Sequence, residues 1–397
     1  MASQNNQTKH RILSIDILRG AVMLIMALDH VRDFFHIHAF DDDPTNFATT
    51  TTFLFFTRWI THFCAPVFLF LSGASAFIAG QNKTKQEHSL FLIKRGIWLV
   101  IVELVVITLG WTFNPLYNVF ILQVIWAIGL SMIILGLLVR TSDTIIFITG
   151  LALLLGHNLF DFTTPSQEGV GGILYTIFFK GAFAFLPIAE NRGFLDVYAI
   201  LPWTSVMLLG YSMGKFFIAS VTAAERKKVL IRTGVIIMAA FIILRFFNIY
   251  GDPKPWLQQK DGLFTFLSFI NTTKYPASLL YLCMTIGPAL LVLALIENVQ
   301  NKFTNILTTY GRVPFLYYVL HFYLIHTIGV IVFFATGHGS NEIVDPQLPF
   351  LFRPMHYGYD LWVVYAVWIF IIVVLYWPCK WFNKYRATHH QWWLSYV

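Results

Sequence analysis

The sequence predicts an all-α integral membrane protein, a polytopic bundle of about ten transmembrane helices. Its mean hydropathy is +0.66, and 57% of its 397 residues are hydrophobic while only 12% are charged. Because a soluble domain carries roughly 25% charged residues, this composition excludes an ordinary soluble protein. Many apolar runs also approach the roughly 20 residues that a helix needs to cross the hydrocarbon core.

Ten apolar runs account for the predicted helices. They cover about 12–31, 53–80, 90–111, 118–139, 143–157, 197–218, 228–249, 276–297, 311–336 and 359–382. The fifth run is short enough to be half-inserted. The stretch 158–196 has an apolar middle that Lys180 interrupts, which predicts a re-entrant or interfacial segment. Residues 250–275 contain the turn-forming sequence DPKPW and are predicted to be a surface loop.

Basic residues cluster in alternate loops, and this asymmetry orients the chain. The basic set of loops and ends holds Lys9, Arg11, Lys83, Lys85, Lys94, Arg95, Arg140, Arg226, Lys227, Lys228, Arg232, Lys302, Arg312, Lys380, Lys384 and Arg386. These loops are therefore predicted to be cytoplasmic. The organisation that follows is a cytoplasmic tail over 1–11, a single membrane domain over 12–386 and a cytoplasmic tail over 387–397.

The first run, 12–31, is apolar yet carries Asp16, Arg19, Asp29 and His30. A charge at the centre of a membrane helix costs roughly 2.5–3.5 kcal/mol on insertion scales, so such residues usually mark function. Arg19 and His30 are eleven residues apart, which is about three helical turns and roughly 16 Å of rise. Both side chains therefore project from one face, with Arg19 in the cytoplasmic half and His30 near the outer end.

Other spans add polar side chains at helical spacing, which predicts a polar interior that binds substrate. The residues with this expected role are Arg58, His62, Gln123, Trp126, Tyr317 and His321. Each of them alone is equally compatible with a structural hydrogen bond between helices. In the second span, Pro66 additionally predicts a bend.

The outer end of the first run reads ALDHVRDFFHIHAFDDD and offers an acid–base site. A general base needs an imidazole that a neighbouring group holds in place, and Asp29 or Asp33 is placed to do this for His30. The alternating His36 and His38 before an acidic loop are only weak indications of metal binding, so no metal is predicted. The basic residues lie mostly at span ends, so nucleic acid is not an expected partner either.

Arg19 and His30 form an Arg-x10-His element that resembles the one in the first helix of the acyltransferase-3 family, which O-acylates extracytoplasmic carbohydrates. The whole chain, from about residue 11 to 397, is more similar to the heparan-α-glucosaminide N-acetyltransferase catalytic-domain family and its bacterial relatives. The stretches that carry this resemblance are SIDILRGAVMLIMALDH, FCAPVFLFLSGAS, ILPWTSVMLLGYSMGK, GRVPFLYYVLHFYLIH and WWLSYV.

The resemblance implies a membrane acyltransferase that takes acetyl from cytoplasmic acetyl-CoA and passes it to an amino or hydroxyl group of a sugar on the other face. His30 matches the histidine of the acyltransferase-3 pattern. The N-acetyltransferase family places its histidine slightly later, where His38 followed by Ala39 is the best match. Asp29 stands where that family has a polar side chain. The two histidines remain alternatives.

The residue types suit this chemistry. His30 or His38, with Asp29, can deprotonate an acceptor or take the acetyl group itself. Arg19, Lys94 and Arg95 suit the thioester oxygen or the phosphates of CoA. The expected partners are acyl-CoA, a carbohydrate or amino-sugar acceptor and membrane lipids. The expected location is the plasma membrane, the inner membrane of a bacterium, and a homodimer is left open.

The alternative function is a multipass transporter or flippase for a small polar or glycan-like solute. Such proteins also bury charged residues along a path through a helical bundle. The sequence shows no repeat between its halves, which disfavours this alternative.

Overall fold

The structure is a computed structural model that describes residues 12–163, 168–389 and 391–395. The predicted N-terminal tail, with Lys9 and Arg11, lies outside the described residues, as do parts of the predicted C-terminal tail. Most of the described chain is helical, as the composition predicts.

Helix α1 (Leu13–Phe35) lies at the centre of the bundle, and most of its side chains are buried. It packs against α13 (Lys302–Gly311), α14 (Pro314–Ala335) and α15 (Leu361–Thr388). The contact with α13 requires glycine on both helices. A Cβ at Gly20 would lie 1.9 Å from the carbonyl oxygen of Leu307, and a Cβ at Gly311 would lie 1.8 Å from that of Asp16. This close approach places α1, with the charged side chains along it, directly against α13 and beside α14.

The second predicted span is a broken helix. Its first part is α2 (Thr52–Thr61) and its second is α3 (Cys64–Gly80). Pro66 lies in the first turn of α3, where the missing N–H of proline costs no helical hydrogen bond. The break therefore comes just before the proline, and it leaves His62 at the junction.

A small sheet joins the helices at the end of the bundle that carries His30. It contains β1 (Val119–Leu122), β2 (Ala184–Ala189) and β3 (Arg192–Asp196). β3 is central and pairs parallel with β1 and antiparallel with β2. The fourth predicted run thus begins as a strand and continues as α6 (Val124–Leu138). The sequence predicted only helices because a short apolar run does not by itself distinguish a strand from a buried helix.

Most of the remaining helices follow the predicted runs with shifted ends, and two short ones lie within the stretches 158–196 and 250–275. They are α4 (Lys85–Val102), α5 (Thr108–Thr112), α7 (Asp143–Gly156), α8 (Gly169–Tyr175), α9 (Ile200–Met213), α10 (Ala223–Phe247), α11 (Gly262–Ile270) and α12 (Leu279–Leu295). A π-helix, Glu103–Ile107, joins α4 to α5, and another, Thr176–Lys180, extends α8. The described part of the stretch 158–196 therefore contains short helical segments and two strands.

The predicted surface loop 250–275 contains α11 and is fastened to α10 by Arg245. This buried guanidinium donates hydrogen bonds to the carbonyl oxygens of Lys254, Ser268, Phe269 and Asn271. The charge that interrupts the seventh predicted span thus has a structural explanation, because it holds the loop over the bundle.

Among the described residues, five helical segments are long and apolar enough to cross a membrane: Thr52–Gly80, Asp143–Phe162, Ala223–Phe247, Pro314–Ala335 and Leu361–Thr388. Helix α1 is also long enough, with 23 residues, but its charged residues set it apart: Asp16, Arg19, Asp29, Arg32 and Asp33. The chain is therefore a largely helical membrane protein. The count of ten spans and the cytoplasmic position of both termini stay predictions.

Candidate active site

His30, near one end of α1, forms a buried pair with His321 of α14. Nδ1 of His30 lies 2.7 Å from Nε2 of His321, and Nδ1 of His321 lies 3.0 Å from the carbonyl oxygen of Tyr317. A carbonyl only accepts, so the proton of His321 belongs on Nδ1 and its Nε2 is an acceptor. His30 then donates from Nδ1, and its Nε2 keeps a lone pair. The pair therefore presents a neutral imidazole with a basic nitrogen directed away from His321.

Aromatic side chains pack around the ring of His30. The ring centroids of Trp111, Tyr318 and Phe322 lie 5.3, 6.4 and 4.3 Å from that of His30. All three residues are buried. Together with the bond to His321, these contacts restrict rotation of the imidazole, so its basic nitrogen is held in one direction.

Asp29 bonds to arginines and, in the described structure, does not bond to His30. One of its oxygens accepts a close hydrogen bond from Arg58 of α2, and the other lies 3.3 Å from Arg32. Arg32 also bonds to Asp33 at 2.6 Å. Because adjacent residues of a helix point in different directions, Asp29 and His30 cannot share a partner face. The hold on His30 that was expected from Asp29 or Asp33 comes instead from His321.

His30 lines a cavity of about 500 Å³, here called the histidine cavity. Asp29, Arg58, Gln123 and Lys274 also line it. A second cavity of about 590 Å³, the loop cavity, lies beside it under the loop 250–275. The two share these wall residues: Asp42, Asp43, Arg58, Phe183, Lys274 and Tyr275. His62 lines the loop cavity.

A third cavity, of about 310 Å³, lies near the other end of α1 and is here called the arginine cavity. Four guanidinium groups line it, those of Arg19, Arg95, Arg312 and Arg386. Arg19 is oriented by a 2.8 Å bond to the hydroxyl of Ser75. Asp16 lies 3.5 Å from Arg19 and 3.6 Å from Arg312. Several guanidinium groups around one cavity suit a phosphate or another multiply charged anion, because each presents several N–H donors in a fixed plane.

The arginine cavity and the histidine cavity are neighbours inside the bundle. Phe68 of α3 and Val124 of α6 line both of them. The two cavities therefore lie end to end along α1, with the arginines at one end and the imidazole of His30 at the other.

His38, the other candidate base, lies apart from this arrangement. Its side chain is 66% exposed and bonds to Asp41 at 2.8 Å. The hydrogen bond from His38 lowers the pKa of the Asp41 carboxyl below its usual value. His38 is thus exposed to solvent and outside the linings of the three cavities, so the geometry favours His30.

Four further predicted site residues also lie away from the linings described for the three cavities: Lys94, Trp126, Tyr317 and His321. Lys94 is exposed on the surface of α4. The backbone N–H groups of Gln123 and Trp126 donate to the Glu103 carboxylate at 3.3 and 2.9 Å. The Glu103 carboxyl group thus caps the N-terminus of α6. Tyr317 contributes its backbone carbonyl group, which accepts the hydrogen bond from Nδ1 of His321.

Sequence reasoning missed Lys274 and Trp111, and it treated Arg312 and Arg386 as topology signals only. Lys274 had one usable signal, because it is a basic residue in a loop predicted to be extracytoplasmic, where basic residues are few. Trp111 had none. A tryptophan at the end of an apolar run is equally typical of a membrane interface.

The family model described as "Heparan-alpha-glucosaminide N-acetyltransferase, catalytic" matches residues 11–250. A comparison with curated proteins gives no match. The matched range contains Arg19, Asp29, His30 and Arg58, whereas His321 lies beyond it. Because the match covers more than half of the 397 residues, the chain belongs to the heparan-α-glucosaminide N-acetyltransferase catalytic-domain family, a family of membrane N-acetyltransferases.

Proposed function

We propose that this protein transfers an acyl group, acetyl in the simplest case, from acyl-CoA in the arginine cavity to a sugar amino or hydroxyl group in the histidine cavity. One observation carries the proposal. Two cavities of different chemistry adjoin at Phe68 and Val124, and a candidate base, His30, lines one of them. This is the arrangement that a donor and an acceptor arriving from opposite faces require.

The arginine cavity suits the donor. The phosphate groups of CoA carry several negative charges, and bidentate guanidinium contacts recognise such groups well. Arg95, Arg312 and Arg386 surround the space beside Arg19. From there, the thioester end of the donor would extend along α1 toward Phe68. Arg19 and His30 are eleven residues apart, so that path is roughly 16 Å long.

The histidine cavity suits a polar acceptor with a ring to stack. Phe183 and Tyr275 lie in edge-to-face contact, with centroids 5.0 Å apart, in the wall shared with the loop cavity. Charged and hydroxyl-bearing side chains surround these rings, and such mixed walls recognise sugars by stacking and hydrogen bonds. The adjoining loop cavity provides room for more than one sugar ring, since each cavity lies within the roughly 300–1,000 Å³ of ordinary ligand sites.

The chemistry follows from the state of His30. Its Nε2 takes the proton of the acceptor as the acceptor nitrogen or oxygen attacks the carbonyl carbon of the thioester. His321 keeps the other ring nitrogen protonated throughout, so the base starts each cycle in the same tautomer. When the carbon–sulfur bond breaks, the protonated His30 returns its proton to the CoA thiolate.

In this proposal, the arginine cavity opens to the cytoplasm and the loop cavity opens to the extracytoplasmic side. Ten spans with both termini in the cytoplasm give that orientation. The chain then acts as a single membrane domain over 12–386 in the bacterial inner membrane. Lys83, Lys85 and Arg140, with the cluster from Arg226 to Arg232, support the orientation by the positive-inside rule.

Calorimetric binding of acetyl-CoA to the detergent-purified protein tests the proposal. Arg95→Gln is expected to weaken binding at least tenfold, about 1.4 kcal/mol, because one charge-assisted contact to phosphate is lost. Lys94→Gln is the comparison, since it removes the same charge from the neighbouring exposed position and is expected to change binding less than twofold. Failure of folded wild-type protein to bind acetyl-CoA would contradict the proposal and favour the transporter or flippase.

A further inference from the structure

Two aromatic residues with unused hydrogen-bond donors flank His30. The rings of Tyr318 and Trp111 stand edge-to-face to the imidazole, at interplanar angles of 86° and 74°. The hydroxyl of Tyr318 and Nε1 of Trp111 are both buried and have no hydrogen-bond partner in the described part of the chain. Native proteins rarely leave buried donors unpaired, so each such donor calls for an explanation, and a catalytic role is one of those known.

These two donors differ from the other unpaired groups in their position. Within residues 12–163, 168–389 and 391–395, they are the unpaired buried donors whose rings contact His30. Tyr318 lines the arginine cavity and Trp111 lines the histidine cavity. The pair therefore contacts the base and reaches both of the adjoining cavities.

We propose that the Tyr318 hydroxyl and the Trp111 indole N–H form the oxyanion hole of the transfer reaction, an inference that rests on the proposed function. As the acceptor attacks, a new carbon–nitrogen or carbon–oxygen bond forms, and the carbonyl electron pair moves onto the thioester oxygen. That oxygen accepts hydrogen bonds from both donors while His30 holds the acceptor's proton. The electron pair then re-forms the carbonyl, the carbon–sulfur bond breaks, and CoA leaves as the thiol. Neither donor gives up its own proton.

The arginines are poor alternatives for this role. Arg19 lies about three turns along α1 from His30, and Arg58 is engaged by the Asp29 carboxylate. Phe322 packs against His30 as well but has no donor. Neutral donors held in an apolar site stabilise a developing oxyanion strongly, because they need no reorganisation during the reaction.

The test compares steady-state acetyl transfer by the full-length protein and its Tyr318→Phe variant, which lacks only the hydroxyl. We expect kcat to fall about 10²–10³-fold, as for loss of one oxyanion-hole donor. The KM for acetyl-CoA and the calorimetric affinity for acetyl-CoA should change less than twofold, because the hydroxyl acts only in the transition state. Trp111→Phe should also lower kcat, although this change removes ring volume together with the donor.

Tyr323→Phe is the matched control on the same helix. The hydroxyl of Tyr323 donates to the Val106 carbonyl at 2.8 Å and is not part of the site. This variant should keep kcat within about threefold of wild type.

The oxyanion-hole proposal is overturned, and the acyltransferase function stands, if Tyr318→Phe keeps more than a third of wild-type kcat. It is also overturned if the variant loses acetyl-CoA affinity in proportion to its activity, since Tyr318 would then be a ground-state contact. If the wild-type protein neither binds nor consumes acetyl-CoA, the proposed function itself fails, and that result is distinguishable because it appears before any variant is made.

Discussion

Replacing His321 tests whether the histidine pair works as a base and its holder. In His321→Leu, the Nδ1–H of His30 loses its acceptor inside the bundle. An unsatisfied buried donor costs about 1–3 kcal/mol, and the ring regains the freedom to rotate or change tautomer. If His30 loses this free energy in its productive orientation, kcat should drop about 5- to 150-fold. Removing the base itself, in His30→Gln, should cost about 10²–10⁴-fold, the usual contribution of general base catalysis.

The assay is the transfer of radiolabelled acetyl from acetyl-CoA to an amino-sugar acceptor by purified protein, with kcat and KM measured separately. A positioning role predicts a loss in kcat with KM nearly unchanged. It also predicts partial rescue in His321→Gln, because a glutamine oxygen can accept the His30 Nδ1–H. The reasoning fails if His321→Leu is fully active. It also fails if that variant loses more activity than His30→Gln, which would make His321 the base.

Three further predictions concern His38, Arg58 and Asp196. His38→Gln should keep kcat within about twofold of wild type in the same assay, because His38 is solvated and bonded only to Asp41 among the described residues; a loss comparable to that of His30→Gln would restore His38 as the base. Arg58→Met should lower the free energy of unfolding by about 3–5 kcal/mol, since it strips a buried carboxylate, Asp29, of its closest cation; thermal unfolding in detergent measures this, and Arg58→Met, Asp29→Asn should recover part of the loss. Burial raises the pKa of the Asp196 carboxyl, which lies outside the predicted spans, from 3.8 to about 8. The folded state then keeps a proton that the unfolded state releases, so stability should fall as pH rises through this window, and Asp196→Asn should flatten the fall in a series of melting curves. An unchanged slope in Asp196→Asn would refute that assignment.

The sequence alone predicts the class of the protein and the helix face along which its candidate site lies. Apolar run length and low charge predict a helical membrane protein, because a span of lipid imposes both. The charges within 12–31 predict a functional helix, and periodicity places Arg19 and His30 on one face of it. In the structure Arg19 lines the arginine cavity and His30 lines the histidine cavity, and the family match agrees with the resemblance of the same stretch.

Periodicity does not reveal which faces of different helices meet. His30 and His321 are 291 positions apart, so no local pattern pairs them. Asp29 is a second case. The sequence suggests its neighbour His30 as a hydrogen-bond partner, whereas the packing of the helices places Arg58 beside it. Which group holds a side chain depends on the rotation of each helix about its axis, and only packing of the whole bundle decides that rotation.

The positions of charged residues in the sequence likewise do not reveal which cavity each side chain lines. Arg312 and Arg386 read as topology signals, because any arginine at a cytoplasmic helix end satisfies the positive-inside rule. Their direction into the arginine cavity depends on how α13 and α15 pack against α1. Lys274 reaches the histidine cavity only because Arg245 fastens the loop 250–275 over the bundle. The order of residues thus predicts the membrane fold and the polar first helix, whereas the base's partner, the arginine cluster and the sheet depend on contacts between segments distant in the chain.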